Sequence, residues 1–169
     1  MRNARGFTLI EMLTATAVAA TIATAAVPSM TNALSRQTLG STVTELLMAI
    51  DLGRGEAIAS GARVVLAPKV GSDWGSGWQL YRDLNDNGAL DAGEPIVREF
   101  ARPDRRVTFA AHGVLSSATM SFEEQGFIRR AGSNGLMLGR LNVSFEGQVR
   151  TLCFGAARVR VVAGSYECS

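Results

Sequence analysis

The side chains with the most chemical potential lie in an acidic loop, a basic end and one isolated carboxylate. Asp83-Leu-Asn-Asp-Asn-Gly-Ala-Leu-Asp-Ala-Gly-Glu94 fits the calcium-loop pattern D-x-[DN]-x-[DN]-G-x5-E without a gap. Oxygen ligands would come from Asp83, Asn85, Asn87, the Ala89 carbonyl, Asp91 and Glu94, with Gly88 at the sharp turn. Ca2+ favours such a cage of hard oxygens. Both flanks read as strands, though, and Asp, Asn and Gly are also ordinary turn formers. A calcium loop and a metal-free hairpin connection both stay open. Near the C-terminus, Arg158 and Arg160 are two apart on a candidate strand and so share a face. Near the N-terminus, Glu11 is the one charge in a long apolar run. A carboxylate there is expensive, which makes it a functional candidate by default.

These groups need elements to hold them. The run from Phe7 to Ala33 is long enough to cross a bilayer, which takes about 20 helical residues. A secretory signal peptide is the plain alternative, but its apolar centre should carry no acid. A simple membrane anchor explains the length and not Glu11. Pro28 inside the run predicts a kink or break, since proline removes a backbone hydrogen bond. Beyond Ala33, Leu39, Val43, Leu46, Leu47, Ile50, Ala57 and Ile58 recur at helical spacing, and Gly61 reads as the stop. One long helix from Phe7 to Ser60 is expected, bent near Pro28.

The remainder reads as β structure. Candidate strands are 62–67, 77–82, 96–101, 106–110, 118–122, 127–129, 135–145, 148–154 and 157–163, separated by Gly and Pro turns. Phe145-Glu-Gly-Gln148 looks like a hairpin turn. The fold class is α+β: a helical spine whose C-terminal half packs on one mostly antiparallel β head. The divisions are a leader, 1–6; a membrane or filament-core helix, 7–33; an amphipathic helix, 34–61; and a head, 62–169.

Gly6-Phe-Thr-Leu-Ile-Glu11 resembles the leader junction of type IV pilins and the related pseudopilins. Ala49-Ile-Asp-Leu-Gly-Arg-Gly-Glu-Ala-Ile58, Gly77-Trp-Gln-Leu-Tyr-Arg-Asp-Leu-Asn-Asp-Asn-Gly88, Gly93-Glu-Pro-Ile96 and Arg158-Val-Arg160 are similar to the GspH/FimT/FimU group of minor pilins. The resemblance implies that a prepilin peptidase cuts between Gly6 and Phe7 and methylates Phe7. It implies that Glu11 neutralises the amine of a neighbouring subunit's first residue, where a buried opposite charge offsets desolvation. A proline at the distance of Pro28 marks a stretch that loosens during assembly. Expected partners are major and minor pilins or pseudopilins, the peptidase and the inner membrane. The expected location is the bacterial inner membrane, single-pass with a periplasmic head, and then the filament. The implied role is that of a minor pilin helping to initiate a type IV pilus near its tip. A DNA-capturing pilin and a type II secretion pseudopilin are the alternatives.

With the head outside the cytoplasm, Cys153 and Cys168 are expected to form a disulfide. Group members that act in DNA uptake carry Gly-Arg-x-Arg near the C-terminus, and here Ala157 replaces the Gly. On that reading Arg158 and Arg160, helped by Arg129, Arg130, Arg140 or Arg150, would hold DNA phosphates in a salt-dependent way. A solvated strand face, or an interface with a neighbouring pilin, explains the same arginines. The formal charge of +2 falls to about zero once Arg2 and Arg5 leave with the leader. The distribution is uneven, acidic over 73–104 and basic over 125–169. No catalytic constellation is present: His112 is the one histidine, and no nucleophile elbow or triad pattern occurs. The chain is therefore read as a non-enzyme, with no cofactor beyond Ca2+ in loop 83–94.

Overall fold

The computed structural model describes residues 6–116, 119–155 and 158–168, with the side chains of 25–29 outside the description. It divides into two compact units, one up to Gln37 and one from Thr38 onward. Helix α1 runs from Leu9 to Ser60. Its start is fixed by Thr8 and its end by Gly61, whose φ of 60° and N–H bond to the Ala57 carbonyl (3.0 Å) make a left-handed cap. Helical structure continues through position 28, so of the expected kink or break at Pro28 an interruption of the helix is not seen. A proline forfeits one hydrogen bond, and the bonds on either side carry the helix past it.

Nine strands follow α1 among the described residues, in the places the turn residues mark. They are β1 (Val64–Val70), β2 (Asp73–Arg82), β3 (Ile96–Glu99), β4 (Thr108–Gly113), β5 (Met120–Phe122), β6 (Ile128–Arg130), β7 (Gly139–Phe145), β8 (Gln148–Phe154) and β9 (Val159–Ala163). They form two sheets with every pairing antiparallel, β3-β2-β1-β5-β6 and β4-β7-β8-β9. The expected strand 135–145 begins only at Gly139, because Leu136 makes an isolated bridge to Arg129 instead.

Alternation sets the two faces of each sheet. Leu66, Trp78, Leu80, Met120, Phe122 and Ile128 point inward from the first sheet, and Leu141, Val143, Leu152 and Phe154 from the second. Leu39, Val43, Leu46, Ala49, Ile50 and Ala57 of α1 complete the same core. Every buried residue of that core lies between Leu39 and Phe154, so residues 38–169 contain a whole hydrophobic core of their own. An ion pair of Arg82 with Glu56 ties β2 to the helix. A smaller cluster of Val65, Ala67 and Tyr81 lies on the opposite face of the first sheet.

Candidate functional site

At the N-terminal junction, Gly6, Phe7 and Thr8 are exposed and precede the helix, so the expected cleavage bond lies in accessible, non-helical chain. Positions 1–5, with Arg2 and Arg5, lie outside the described residues. Phe7, Leu9, Ile10, Met12, Leu13, Val18 and Ile22 are all more than half exposed. Among the described residues nothing covers these apolar side chains. The polar groups among them are satisfied locally: Thr14, Thr16, Thr21 and Thr24 each return a hydroxyl hydrogen bond to a carbonyl one turn back. Such back-bonding hides a hydroxyl from an apolar medium.

Glu11 has a local partner that sequence reasoning missed. The Thr8 N–H and hydroxyl both donate to Glu11 Oε2 at 2.9 Å, and the Glu11 N–H donates to Thr8 Oγ1 at 3.3 Å. This is a reciprocal capping box, with Thr8 at the N-cap and Glu11 three residues on. The spacing Thr-x-x-Glu before an apolar run was the signal that could have found it.

Loop 83–94 closes on itself. Buried Asp83 accepts the N–H of Asn87 (3.1 Å) and of Gly88 (2.8 Å). Glu94 accepts the N–H of Leu84 (2.8 Å) and of Asp91 (3.0 Å). The Asn85 and Asn87 amides both donate to Asp91 Oδ2, at 2.8 and 2.6 Å. In this arrangement the carboxylates of Asp83 and Glu94 face backbone N–H groups, and the Asn85 and Asn87 side-chain amides face Asp91. Among the described residues no set of three or more His, Cys, Asp or Glu side chains is placed to hold a metal ion.

The loop instead covers the small outer cluster of the first sheet. The Tyr81 hydroxyl donates to the Gly88 carbonyl at 3.0 Å. A side chain at Gly88 would collide with the backbone of Ala131 and Gly132, so both glycines are needed for close approach. Burial raises the Tyr81 phenol above its ordinary range, and the nearby Asp83, Glu94 and Asp91 add to the shift. The amide bonds from Asn85 and Asn87 hold the Asp91 carboxyl below its ordinary value.

The basic residues are only partly gathered. Arg140, Cys153 and Arg160 stand opposite one another across β7, β8 and β9 and so share the outer face of the second sheet. Arg150 lies on the other face of β8, while Arg129 and Arg130 belong to β6 in the first sheet. Arg129 pairs with Glu123 at 3.1 Å and Arg140 with Glu167 at 3.0 Å. Arg158 and Arg160 are exposed, form no ion pair among the described residues, and line a groove of about 430 Å³ with Leu138, Phe154 and the disulfide. Ala157, where the DNA-uptake motif has Gly, lies outside the described residues.

Cys153 and Cys168 are joined, with Cα atoms 5.6 Å apart. The C-terminal tail is also held by Thr151. Its hydroxyl donates to the Gly164 carbonyl (2.7 Å) and accepts the Tyr166 N–H (3.2 Å).

The family model described as type II transport protein GspH matches residues 42–164. The prokaryotic N-terminal methylation motif matches residues 1–27. No curated protein matches the chain. The crystal structure of the type IV minor pilin FimU of Pseudomonas aeruginosa strain PAO1 is similar in fold. Its TM-score is 0.54 at 17% identity, over 76% of this chain and 94% of that one.

Proposed function

This chain belongs to the GspH family of pilin-like structural subunits, which are not enzymes, and we propose that it is a minor pilin that helps initiate a type IV pilus near its tip. The N-terminal methylation motif and the family together imply a membrane-anchored pilus or pseudopilus subunit. Among the described residues no helix is long and apolar enough to cross a membrane. The run from Phe7 to Ala33 includes positions 25–29, whose side chains are not described. In this proposal that run is the single membrane span before assembly and packs into the filament afterwards.

The observation that carries the reading is the uncovered apolar surface of α1 from Phe7 to Ile22, on a chain whose head is complete without it. Soluble chains do not leave such a surface bare. A bilayer covers it first, and neighbouring helices cover it in a filament. Cleavage after Gly6 and methylation of Phe7 prepare the new N-terminus, and Glu11 then meets the amine of an adjacent subunit.

Two measurements test this. Mass spectrometry of the membrane-extracted protein should give a chain beginning at Phe7 and heavier by one methyl group. Deletion of the protein should reduce surface pili, with restoration by the wild type and not by Glu11→Ala. An uncleaved N-terminus, or normal piliation in the deletion strain, would refute the role. The name of the matching family model favours a second reading, a pseudopilin of a type II secretion machine. Loss of exoprotein secretion with pili intact would select it.

A further inference from the structure

We propose that β9 is an open sheet edge that takes up an extended strand of a different pilin subunit, one that alternates acidic and apolar residues. Two hydrogen bonds fix which way the backbone of β9 faces. The Gly155 N–H donates to the Arg158 carbonyl (3.0 Å) and the Gly164 N–H to the Val149 carbonyl (2.9 Å). In the same register Arg160 stands opposite Cys153 and Val162 opposite Thr151, so Arg160 and Val162 bond to β8. Val159, Val161 and Ala163 therefore direct their N–H and C=O groups away from it. β9 ends its sheet, and among the described residues no hydrogen bond reaches those outward groups. The side chains alternate as well. Leu152 and Phe154 face the core, and Val161 and Val159 opposite them share that face. Val159 packs on the core, while Val161 is 41% exposed because no strand lies beyond it. On the other face Arg158 and Arg160 are exposed, with no ion pair among the described residues.

The other three sheet edges are blunted, as proteins usually arrange. β3 is short, carries Arg98 and Glu99, and joins β2 with a register shift at Leu80 and Tyr81. β6 is shorter still, and Leu136 bridges to Arg129 beyond it. β4 sets Phe109 edge-on against Trp78 of the first sheet, ring centres 6.2 Å apart. β9 instead pairs with β8 in unbroken register, is rich in valine and holds neither Pro nor Gly. A strand laid along it bonds through every second residue and extends the second sheet. Its residues beside Val161 lie on the core face and must be apolar. Those on the opposite face stand beside Arg158 and Arg160 and must be acidic. A second copy of β9 would crowd four guanidinium groups onto one face, so the edge selects an unlike chain. Nucleic acid would meet the arginines and leave Val161 and the outward N–H and C=O groups bare. That the partner is a pilin subunit rests on the minor-pilin reading, in which this chain has unlike neighbours; the strand chemistry does not.

The test titrates isotope-labelled residues 38–169, whose core is complete, with the capped peptide Thr-Glu-Val-Glu-Val-Glu-Val-Thr. The range runs to about 1 mM, the effective concentration that tethered partners reach. The amide signals of Val159, Val161 and Ala163 should move together and gain protection from exchange. Those of Arg160 and Val162, already bonded to β8, should change little. Added salt should weaken binding, and Arg158→Glu/Arg160→Glu should weaken it at least about tenfold. A peptide with Lys in place of each Glu should not bind. Two further peptides are N-methylated, one on its valines and one on its glutamates. One of them should lose binding and the other keep it, because only every second N–H faces β9. Val161→Pro removes an N–H that β8 does not use, so the head should stay folded while peptide binding is lost. The N-methylated peptides make the same test without altering the head.

No movement of the three outward amides, equal binding of the lysine peptide, or equal effects of the two methylation patterns overturns the proposal. Binding that survives Arg158→Glu/Arg160→Glu overturns it too. Arginine-dependent binding of a thymidine oligonucleotide, with no binding of the peptide, overturns it and assigns this face to nucleic acid. Failure of the minor-pilin reading would show separately, as normal piliation and secretion in the deletion strain while the purified head still binds the peptide.

Discussion

Gly53 and Gly55 lie two residues apart on α1, and the structure gives their replacement by alanine opposite signs. Glycine in a helix interior is about 1 kcal/mol less favourable than alanine. At Gly55 an added Cβ meets nothing within 4 Å, so Gly55→Ala should collect that gain in full. At Gly53 it would sit 2.6 Å from a Phe122 ring carbon and 2.8 Å from a Leu80 methyl carbon. Both neighbours are fully buried in the core between α1 and the first sheet. Overpacking of this kind costs about 1–3 kcal/mol, which outweighs the helical gain. The two variants should therefore differ by about 2 kcal/mol, or roughly 6–10 °C in Tm for a unit of this size. Thermal and urea unfolding of residues 38–169 measures it. Gly53→Ala with Phe122→Leu should recover part of the loss, since the double-mutant cycle isolates the clash. If Gly53→Ala stabilises as much as Gly55→Ala, the helix does not press on β2 and β5 as described, and the packing account is wrong.

Reducing the disulfide with a dithiol should cost about 3 kcal/mol, given the separation of 15 residues between Cys153 and Cys168. A loss under about 1 kcal/mol would mean that Thr151 and the Arg140–Glu167 pair already hold the tail. In the β7–β8 turn, Glu146 and Gly147 have φ of 45° and 80°, the primed-turn conformation that Asn-Gly favours. Glu146→Asn should stabilise by about 0.5–1 kcal/mol, after allowing for its lost surface pair with Arg106, and denaturant melts would show it. The Asp91 carboxyl is held below its ordinary value of 3.8, so its bonds to Asn85 and Asn87 persist above that pH and are lost as pH falls through the lower folded value. The side-chain amide signals of Asn85 and Asn87 should therefore shift together only below about pH 4. A shift centred higher would mean that Asp91 does not accept them.

The fold was legible because its pieces carry periodic signals. Leu39, Val43, Leu46 and Ile50 repeat at helical spacing and are the residues α1 buries. Phe145-Glu-Gly-Gln148 fixes one hairpin, and Phe145 pairs with Gln148 as a two-residue turn requires. Strand ends were less legible. Strand β4 runs to Gly113, past the expected 110, because pairing with Gly139–Ser144 sets its length and that partner is distant in sequence. The scatter of the arginines was not legible at all. Arg150 and Arg160 are ten residues apart, yet a hairpin parity places them on opposite faces.

The two patterns read most directly for chemistry, the acidic loop and the N-terminal junction, have the same ambiguity. A carboxylate suited to a cation is equally suited to a backbone N–H, and the sequence does not say which it meets. In loop 83–94 Asp83 and Glu94 accept N–H groups that the tight turn would otherwise leave unsatisfied. At Glu11 both partners have claims. The isolated chain satisfies the carboxylate with Thr8, at two bonds of 2.9 Å. A neighbouring amine in an apolar filament core offers a full charge in a low dielectric, which is stronger than either neutral donor. Under the proposed function, Thr8 would hold Glu11 at the helix start until a neighbouring subunit's amine replaces it. On this account Thr8→Val should loosen the first turn of the free subunit while leaving the charge pair of the assembled filament in place, and Glu11→Gln should do the reverse. Amide exchange at residues 8–12, compared between detergent-held subunits and filaments, separates the two. Equal effects of both substitutions in both states would show that the carboxylate does not change partners.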